Sequence, residues 1–110
     1  MIYGDGEQSR DFTYVKNVAE ANLLACTVPG VAGQVFNVAC GDRITVNSML
    51  QQINKITGKD ITPFYAEPRA GDIKHSQADI TRAKEDLGYQ PNVTFEEGLR
   101  HTIEWYRDNL

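Results

Sequence analysis

The chain has 110 residues, of which 41% are hydrophobic and 24% are charged, and its net charge is −4. This composition is typical of one small globular domain, and the scattered lysines and arginines form no basic face that would favour a nucleic-acid partner. The sequence contains no apolar run of the roughly 20 residues that a membrane span needs, and no basic start followed by an apolar core marks a signal peptide. Together these features predict a cytoplasmic protein with no membrane partner.

The first predicted elements are a strand, a turn and a helix. MIY reads as a strand end that enters the turn GDG at positions 4 to 6, and FTYV at positions 12 to 15 is a second β-prone run. Asn17 is predicted to cap the helix VAEANLLAC, since Glu20 follows three residues later as in a capping box, and Pro29 and Gly30 end the helix. The helix is apolar around most of its circumference, so we expect burial on more than one side.

The middle of the chain continues this alternation of strands and helices. QVFNVAC, at positions 34 to 40, is a near-continuous apolar run of the kind found in strands that are covered on both faces. Thr45 is predicted to cap a second helix with apolar residues at helical spacing, and Gly58 is predicted to end it. ITPFYA, at positions 61 to 66, is predicted to be a further short strand.

Helices dominate the last part of the chain. Positions 67 to 76 are polar and include proline and glycine, which predicts a loop. Asp79 is predicted to cap the helix ITRAKEDL, and Thr94 and Glu97 are predicted to form a capping box for a final helix. The expected inner stripe of that helix is Phe95, Leu99, Thr102, Ile103 and Tyr106. Four helices and three or four short strands in this order predict an α/β fold, or α+β for the chain taken by itself.

Cysteine and histidine give little sign of catalytic or metal chemistry. Cys26 and Cys40 form no CxxC or zinc pattern, and we expect two buried, reduced thiols. His75 could act as a general base because Ser76 and Asp72 lie close in sequence, but a triad needs a defined geometry, so a loop histidine that bonds locally is favoured. The second histidine, at position 101, is expected on the polar side of the last helix. Trp105 and Tyr106 could form an interface, although apolar closure of that helix is favoured.

The stretch GDGEQSRDF, at positions 4 to 12, admits two interpretations. It matches neither a phosphate loop of the GxxxxGK[ST] kind nor the dinucleotide fingerprint GxGxxG. The stretch could be a tight turn in which Arg10 pairs with Asp5, Glu7 or Asp11 on the surface. Alternatively, the turn could present Arg10 to a diphosphate, which suits the planar fork of donors on a guanidinium. Local sequence alone favours the surface pair.

A second stretch, EPRAGDIKHSQAD, strengthens the functional interpretation. It places Arg69 and Asp72 three residues apart in a loop that contains proline and glycine. An arginine suits phosphate, and a carboxylate suits the vicinal hydroxyls of a ribose. The alternative is a solvated loop with an Arg–Asp pair. Taken together, the two loops describe half of a nucleotide-sugar site.

The order of four segments resembles a known superfamily. GDGEQSRDFTYVKNVAEA, VFNVACG, PRAGDIKHSQADITRAKEDLGYQP and FEEGLRHTIEWY together resemble the C-terminal part of the extended short-chain dehydrogenase/reductases. The resemblance covers nearly the whole chain, and it is greatest to nucleotide-sugar epimerases such as UDP-glucose 4-epimerase and the UDP-N-acetylglucosamine 4-epimerases. It implies the substrate-binding portion of a Rossmann-type enzyme that uses NAD, acts on a UDP-sugar and interconverts sugars at C4.

Five residues match positions with roles in the resembling family. The resemblance implies that Arg10 and Arg69 bind the nucleotide diphosphate and that Asp72 holds the ribose. It also implies that Phe12 lies beside the nucleoside and that the backbone at Tyr3 runs along the uracil ring. The family usually has aspartate where this chain has asparagine at position 17, and since both residues cap helices equally well, we expect no functional consequence.

The larger departure is the catalytic machinery of the family. No lysine lies four residues after any of the five tyrosines, so Tyr-x-x-x-Lys is absent, as is the glycine-rich NAD loop. We therefore expect residues 1–110 to be a single fragment with no catalytic, cofactor-binding or metal-binding residues, which lacks its N-terminal NAD-binding domain and is inactive alone. NAD belongs to the parent enzyme.

The resemblance also bears on assembly and on alternative functions. In the family, the helix and strand of positions 17 to 40 pack on the nucleotide-binding sheet. Without that sheet, an apolar patch and a sheet edge would face water, so we expect a homo-oligomer or marginal stability. The alternatives are a dehydratase, decarboxylase or reductase of the same superfamily, or a non-catalytic module that binds nucleotide sugars or a partner protein.

Overall fold

The computed structural model describes all 110 residues. The chain forms four helices and four strands of two residues each, which confirms the expected mixture of helices and short strands. The helices are α1 (Val15–Thr27), α2 (Val46–Thr57), α3 (Thr81–Leu87) and α4 (Phe95–Asn109). The strands are β1 (Ile2–Tyr3), β2 (Ser9–Arg10), β3 (Ile44–Thr45) and β4 (Tyr65–Ala66).

The strands form two small sheets that are joined by the GDG turn. β1 pairs with β4 in parallel, and β2 pairs with β3 in the antiparallel sense. The free edge of β2 carries a parallel bridge between Ser9 and His75. The chain after β4 is thus attached to both sheets, and the two stretches GDGEQSRDF and EPRAGDIKHSQAD lie side by side.

Two predicted helix caps are confirmed. The Thr45 hydroxyl accepts a hydrogen bond from the Ser48 amide at 3.0 Å, and the Thr94 hydroxyl accepts one from the Glu97 amide at 3.3 Å. Each satisfies a backbone N–H that the first turn of a helix leaves without a partner. At the other end of α2, Gly58 adopts the left-handed conformation with φ of +67°. These signals are local, so the sequence predicts them well.

The predicted start of α1 is wrong. The helix begins at Val15 after Tyr14, no strand forms at positions 12 to 15, and Asn17 lies inside the helix, fully buried. The Asn17 amide nitrogen donates to the Val93 carbonyl at 2.9 Å, and its amide oxygen accepts from the Val93 N–H at 3.0 Å. The side chain therefore joins α1 to the segment before α4 rather than capping α1.

The predicted strand QVFNVAC is not formed in this chain. Residues 35–39 make no backbone–backbone hydrogen bond, and the Val35 side chain is 80% exposed. The segment is held by other contacts, including a hydrogen bond from the Tyr89 hydroxyl to the Ala39 carbonyl at 2.7 Å. A strand needs a neighbouring strand, and these 110 residues supply none at this position.

The core lies between α1, α3 and the chain that connects them. Its buried members are Ala21, Val31, Ala39, Ile80, Ala83, Leu87 and Tyr89. Burial raises the pKa of the Tyr89 hydroxyl to about 12, so this group stays protonated and donates to the Ala39 carbonyl at neutral pH. The predicted burial of both thiols is wrong for Cys26, which is exposed, while Cys40 is half-buried and free.

The molecule is flat, and several apolar side chains face outward. Its dimensions are 49 × 36 × 19 Å, and its radius of gyration of 16.5 Å exceeds the roughly 13 Å of a compact domain of this length. On α1, Val15 is 69% exposed and Leu23 is 67% exposed. Trp105 and Tyr106 contact each other edge to face and are also exposed, so they do not close α4 against the core. None of the helices has the length and hydropathy of a membrane span.

Candidate functional site

An open cleft of about 720 Å³ lies between the β1–β4 sheet and residues 67–76, which we call the cleft loop. The predicted site residues Tyr3, Arg69 and Asp72 all line this cleft, although Tyr3 lies more than 60 positions before the other two in the sequence. Lys74 and the GDG turn complete one wall. The parallel pairing of β1 with β4 brings Tyr3 beside the start of the cleft loop, so the cleft follows directly from the topology.

Arg69 is the cation best placed to meet a ligand. Its guanidinium lies 4.2 Å from the centre of the Tyr3 ring, which is a cation–π contact. The side chain makes no hydrogen bond or ion pair within the protein, so all five of its N–H donors are free. A guanidinium held by an aromatic ring at the wall of a cleft is equipped to bind a phosphate or carboxylate group through two parallel hydrogen bonds.

Arg10 is paired, but with a partner that the sequence did not indicate. Its Nη2 atom donates to Asp72 Oδ1 at 2.7 Å, and its Nη1 atom donates to the carbonyls of Ser9 at 2.7 Å and Lys74 at 3.4 Å. The expected pairing with Asp5, Glu7 or Asp11 is therefore wrong. Arg10 lies behind the cleft wall and holds Asp72 at the edge of the cleft.

Asp72 keeps one oxygen available. The Arg10 contact uses Oδ1, and Oδ2 makes no hydrogen bond within the protein. The alternative of a side-chain pair between Arg69 and Asp72 is also wrong, because these residues are joined only through a turn, in which the Asp72 amide donates to the Arg69 carbonyl at 3.2 Å. The free carboxylate oxygen can accept a hydrogen bond from a ligand hydroxyl.

The two glycines of GDG serve the turn and do not form a phosphate cradle. Gly4 and Gly6 have φ of +79° and +76°, which glycine adopts without strain. The Asn47 amide nitrogen donates to the Asp5 carbonyl at 3.0 Å and to the Glu7 carboxylate at 2.6 Å, and a Cβ atom on Gly6 would overlap the Asn47 side chain. The turn is thus clamped against the first turn of α2.

Asp11 is a structural residue that the sequence analysis missed. Its Oδ1 atom accepts a hydrogen bond from the Cys40 amide at 2.9 Å. Its Oδ2 atom accepts hydrogen bonds from the Gly41 amide at 2.9 Å and the Ala78 amide at 3.4 Å. Burial, and secondarily the charge of Asp11, raise the pKa of the Cys40 thiol. No local signal could have indicated this role, because the donors lie 29 to 67 residues away.

Phe12 lies apart from the cleft. Its ring is 5.8 Å from the ring of Phe95, and it lines a separate apolar cavity of about 180 Å³. That cavity lies between the chain before α1 and the helices α2 and α4, with Met49 and Leu99 among its other lining residues. The expected place of Phe12 beside a nucleoside therefore stays a prediction.

His75 has different surroundings from those expected, whereas the exposed position expected for His101 on the last helix is confirmed. His75 Nδ1 lies 2.8 Å from Ser9 Oγ, and the two residues are 66 positions apart in sequence, so its hydrogen bond is not local. Ser9 is only 3% exposed, which excludes it as a nucleophile that a substrate could reach. His101 is half-exposed on α4, against the Tyr14 ring at 5.8 Å.

The comparisons with known proteins agree with this architecture. The family model described as GDP-mannose 4,6 dehydratase matches residues 1–102. Solved structures with the same fold include UDP-glucose 4-epimerase of Thermotoga maritima with UDP-glucose, which is 46% identical with a TM-score of 0.90 over 97% of this chain and 34% of that chain. UDP-N-acetylglucosamine 4-epimerase of Methanobrevibacter ruminantium M1, in complex with UDP-N-acetylmuramic acid, is 43% identical with a TM-score of 0.90 over 99% and 34% of the two chains.

A curated relative in sequence is also a nucleotide-sugar epimerase. UDP-glucuronate 4-epimerase of Thermodesulfobacterium geofontis is 32% identical over 110 residues, which are 99% of this chain and 33% of the relative. The fold is that of about one third of an extended short-chain dehydrogenase/reductase. Within that class, the chain belongs to the family described as GDP-mannose 4,6 dehydratase, that is, the NAD-dependent nucleotide-sugar epimerases and dehydratases. It spans about a third of the length of the relatives that it matches.

The residues of this chain do not form a cradle for NAD. A dinucleotide loop runs from a strand directly into a helix, so that the pyrophosphate meets the N-terminus of the helix. Here Gly4 and Gly6 lead into β2, and α1 begins only at Val15. No GxGxxG spacing occurs elsewhere in the sequence. Gly4 and Gly6 are therefore not arranged to hold a pyrophosphate at a helix N-terminus.

Proposed function

We propose that this chain is the substrate-binding part of an NAD-dependent nucleotide-sugar 4-epimerase and that it holds the UDP portion of the sugar nucleotide in the cleft. The observation that carries the proposal is that one cleft brings three residues together. They are Arg69, whose N–H donors are free, Tyr3, and Asp72, which has one carboxylate oxygen without a partner. A cation suits a diphosphate, and a hydrogen-bond acceptor suits the hydroxyls of the adjoining ribose. Relatives solved with UDP-glucose and UDP-N-acetylmuramic acid support the choice of ligand.

In this proposal each residue has a defined role. Arg69 binds the diphosphate from the cleft wall, Asp72 accepts a hydrogen bond from the ribose through Oδ2, and the backbone at Tyr3 lies along the uracil. Arg10 serves the site from behind the cleft wall, where its bond to Oδ1 holds Asp72 in place for the ribose. The cleft gives Phe12 no contact with the nucleotide, because its ring lines the separate apolar cavity.

The chemistry in this proposal takes place outside these residues. NAD, bound elsewhere in the whole enzyme, supplies a reversible hydride acceptor. The contribution of this chain is to bind and orient the nucleotide, because it has neither a Tyr-x-x-x-Lys pair nor a dinucleotide loop. We expect the chain alone to convert no UDP-glucose into UDP-galactose and to show no micromolar affinity for NAD in a calorimetric titration.

The partner of this chain within the whole enzyme is the NAD-binding domain. We propose that α1 and the segment of residues 34–40 pack on the nucleotide-binding sheet. Three features support this arrangement. They are the exposed apolar side chains of α1, the absence of backbone–backbone hydrogen bonds at residues 35–39, and the thickness of only 19 Å. We also propose that this chain forms a homo-oligomer when the nucleotide-binding sheet is absent. Its copies would then contact each other through the exposed apolar side chains of α1 and through residues 34–40.

Two other functions of the chain are compatible with the cleft. Relatives with the same coverage include a UDP-N-acetyl-alpha-D-glucosaminuronate decarboxylase of Bacillus cytotoxicus at 33% identity and a dTDP-glucose 4,6-dehydratase of Streptomyces niveus at 33% identity. Another reaction of the family is therefore the second candidate. A non-catalytic binding module would share the cleft but would need no NAD-binding partner.

The test is a nuclear magnetic resonance titration of the chain with UDP, dTDP and GDP. The proposal predicts that UDP shifts the amide signals of the cleft loop and of Tyr3, and that GDP at equal concentration does so much more weakly. Equal shifts with GDP and UDP would contradict the choice of uridine. Shifts confined to the apolar cavity at Phe12, or no shifts at all, would contradict the cleft as the binding site.

A further inference from the structure

Besides β4 and the side-chain contacts of Arg69, Asp72 and Lys74, a backbone attachment joins the cleft loop to the rest of the chain. Residues 67–77 are all exposed, so the loop is not held by a core of its own. Near its end, the Ser9 amide donates to the Lys74 carbonyl at 2.8 Å, and the Ser76 amide donates to the Ser9 carbonyl at 3.0 Å. These bonds place residues 74–76 along the free edge of β2 as a short parallel bridge.

A side-chain hydrogen bond accompanies this bridge. Ser9 Oγ lies 2.8 Å from His75 Nδ1, and Ser9 is 3% exposed. This is the only hydrogen bond that the Ser9 hydroxyl makes within the protein. A buried hydroxyl that loses its partner is destabilised, so the pair favours the docked position of the loop over an undocked one.

The same strand carries the arginine that holds Asp72. Because Ser9 and Arg10 are neighbours on β2, docking of His75 at Ser9 fixes how far Asp72 lies from Arg10, which it contacts at 2.7 Å. The turn from Asp72 back to Arg69 then sets the height of Arg69 above the cleft. A loop that is already ordered loses less entropy when a ligand binds.

We infer that Ser9 and His75 form a positioning pair that holds the cleft loop on β2, so that Arg69 and Asp72 are in place before a nucleotide diphosphate arrives. This inference rests on the proposed function for the ligand, while the docking itself is independent of it. In this account His75 touches neither the nucleotide nor the reacting sugar. Its effect passes through the loop.

The first experiment is hydrogen–deuterium exchange of the ligand-free chain, followed at the Ser76 amide. Removal of either partner, in Ser9→Ala or His75→Ala, should speed exchange at Ser76 by about tenfold or less, as expected for one hydrogen bond. His75→Asn should restore slow exchange, because its side-chain amide can donate to or accept from the Ser9 hydroxyl in place of Nδ1. His101→Ala is the matched control and should leave Ser76 unchanged. Unchanged exchange in both single variants would overturn the positioning pair, whether or not the chain binds UDP.

The second experiment is a calorimetric titration of the same variants with UDP. Ser9→Ala and His75→Ala should each weaken UDP binding by roughly threefold to tenfold, and the double variant should be no weaker than either single one. His75→Asn should bind like the wild type. A loss in His75→Ala and His75→Asn with none in Ser9→Ala would instead make His75 a direct ligand of the nucleotide and overturn its positioning role. If the wild type does not bind UDP, the proposed function fails, and the exchange measurement alone decides the inference.

Discussion

Arg10 and Asp72 are joined by a hydrogen-bonded ion pair of 2.7 Å across 62 positions of sequence. The pair connects the two stretches that the sequence analysis singled out separately, and it does so with one carboxylate oxygen of Asp72 to spare. The geometry therefore separates two roles within one residue. Oδ1 holds the loop through Arg10, and Oδ2 is left for the ribose in the proposed function.

If Asp72 Oδ2 binds the ribose, the affinity for the nucleotide should fall when a ribose hydroxyl is missing. In the wild type, 2′-deoxy-UDP should bind more weakly than UDP by roughly tenfold or more, as expected for one hydrogen bond to a charged group. In Asp72→Ala, UDP should bind more weakly and the difference between the two nucleotides should disappear. Calorimetry with both nucleotides measures the difference. If it persists at full size in Asp72→Ala, the ribose contact belongs to another residue.

The buried contact of Asn17 with the Val93 backbone predicts a large loss of stability in Asn17→Ala. The variant leaves both the N–H and the carbonyl of Val93 without partners, which should lower the free energy of unfolding by about 2–4 kcal/mol. Asn22→Ala is the matched control, because Asn22 lies on the same helix, is exposed and bonds only within α1. Urea denaturation of both variants checks the prediction. Equal stability of the two would show that the Val93 contact contributes nothing.

Replacement by alanine should lower the free energy of unfolding more at Gly6, in the GDG turn, than at Gly58, at the end of α2. Gly58→Ala places a Cβ atom in open space at φ of +67°, so only the left-handed backbone is penalised, by about 1–2 kcal/mol. Gly6→Ala carries a similar backbone cost and also displaces the Asn47 side chain, which should add about 1–3 kcal/mol. Thermal denaturation compares the variants. If the two melt at the same temperature, Asn47 does not clamp the turn.

Because α1 and residues 35–39 expose apolar side chains, we expect the chain to associate with itself. The radius of gyration of 16.5 Å and the thickness of 19 Å indicate that α1 and residues 35–39 lack a covering layer in this chain. Static light scattering should give a mass above 12.3 kDa that rises with concentration. Leu23→Lys, which places a charge on the exposed face of α1, should lower that mass, and Asn22→Lys on the same helix serves as the control. A monomer at every concentration would remove the argument from exposed surface.

Sequence predicted the parts of this structure that local chemistry decides. The caps at Thr45 and Thr94 and the glycine at the end of α2 follow from hydrogen bonds within a few residues, and all three were right. The burial of Asn17 and the partner of Arg10 could not be predicted, because their contacts lie 76 and 62 positions away.

The strand that was predicted at positions 34 to 40 does not form, and it shows a different limit of prediction from sequence. Its apolar pattern describes the environment that the segment is suited to, and the residues that would supply that environment are not among these 110. For the candidate site, chemical type was enough to select Arg69 and Asp72. The supporting residues Ser9, Asp11 and Asn47 carried no motif, because they act on backbone and side-chain groups far away in sequence.

The proposed binding of a uridine diphosphate to the cleft depends above all on Arg69, and the decisive experiment is a calorimetric titration of UDP into the wild-type and Arg69→Ala chains. Arg107→Ala, an exposed arginine on α4 away from the cleft, is the control. The account predicts that Arg69→Ala weakens UDP binding by about tenfold or more, corresponding to the roughly 1.5–3 kcal/mol of a charged hydrogen bond, and that Arg107→Ala binds like the wild type. Equal affinity for UDP in the wild type and Arg69→Ala would contradict the claim.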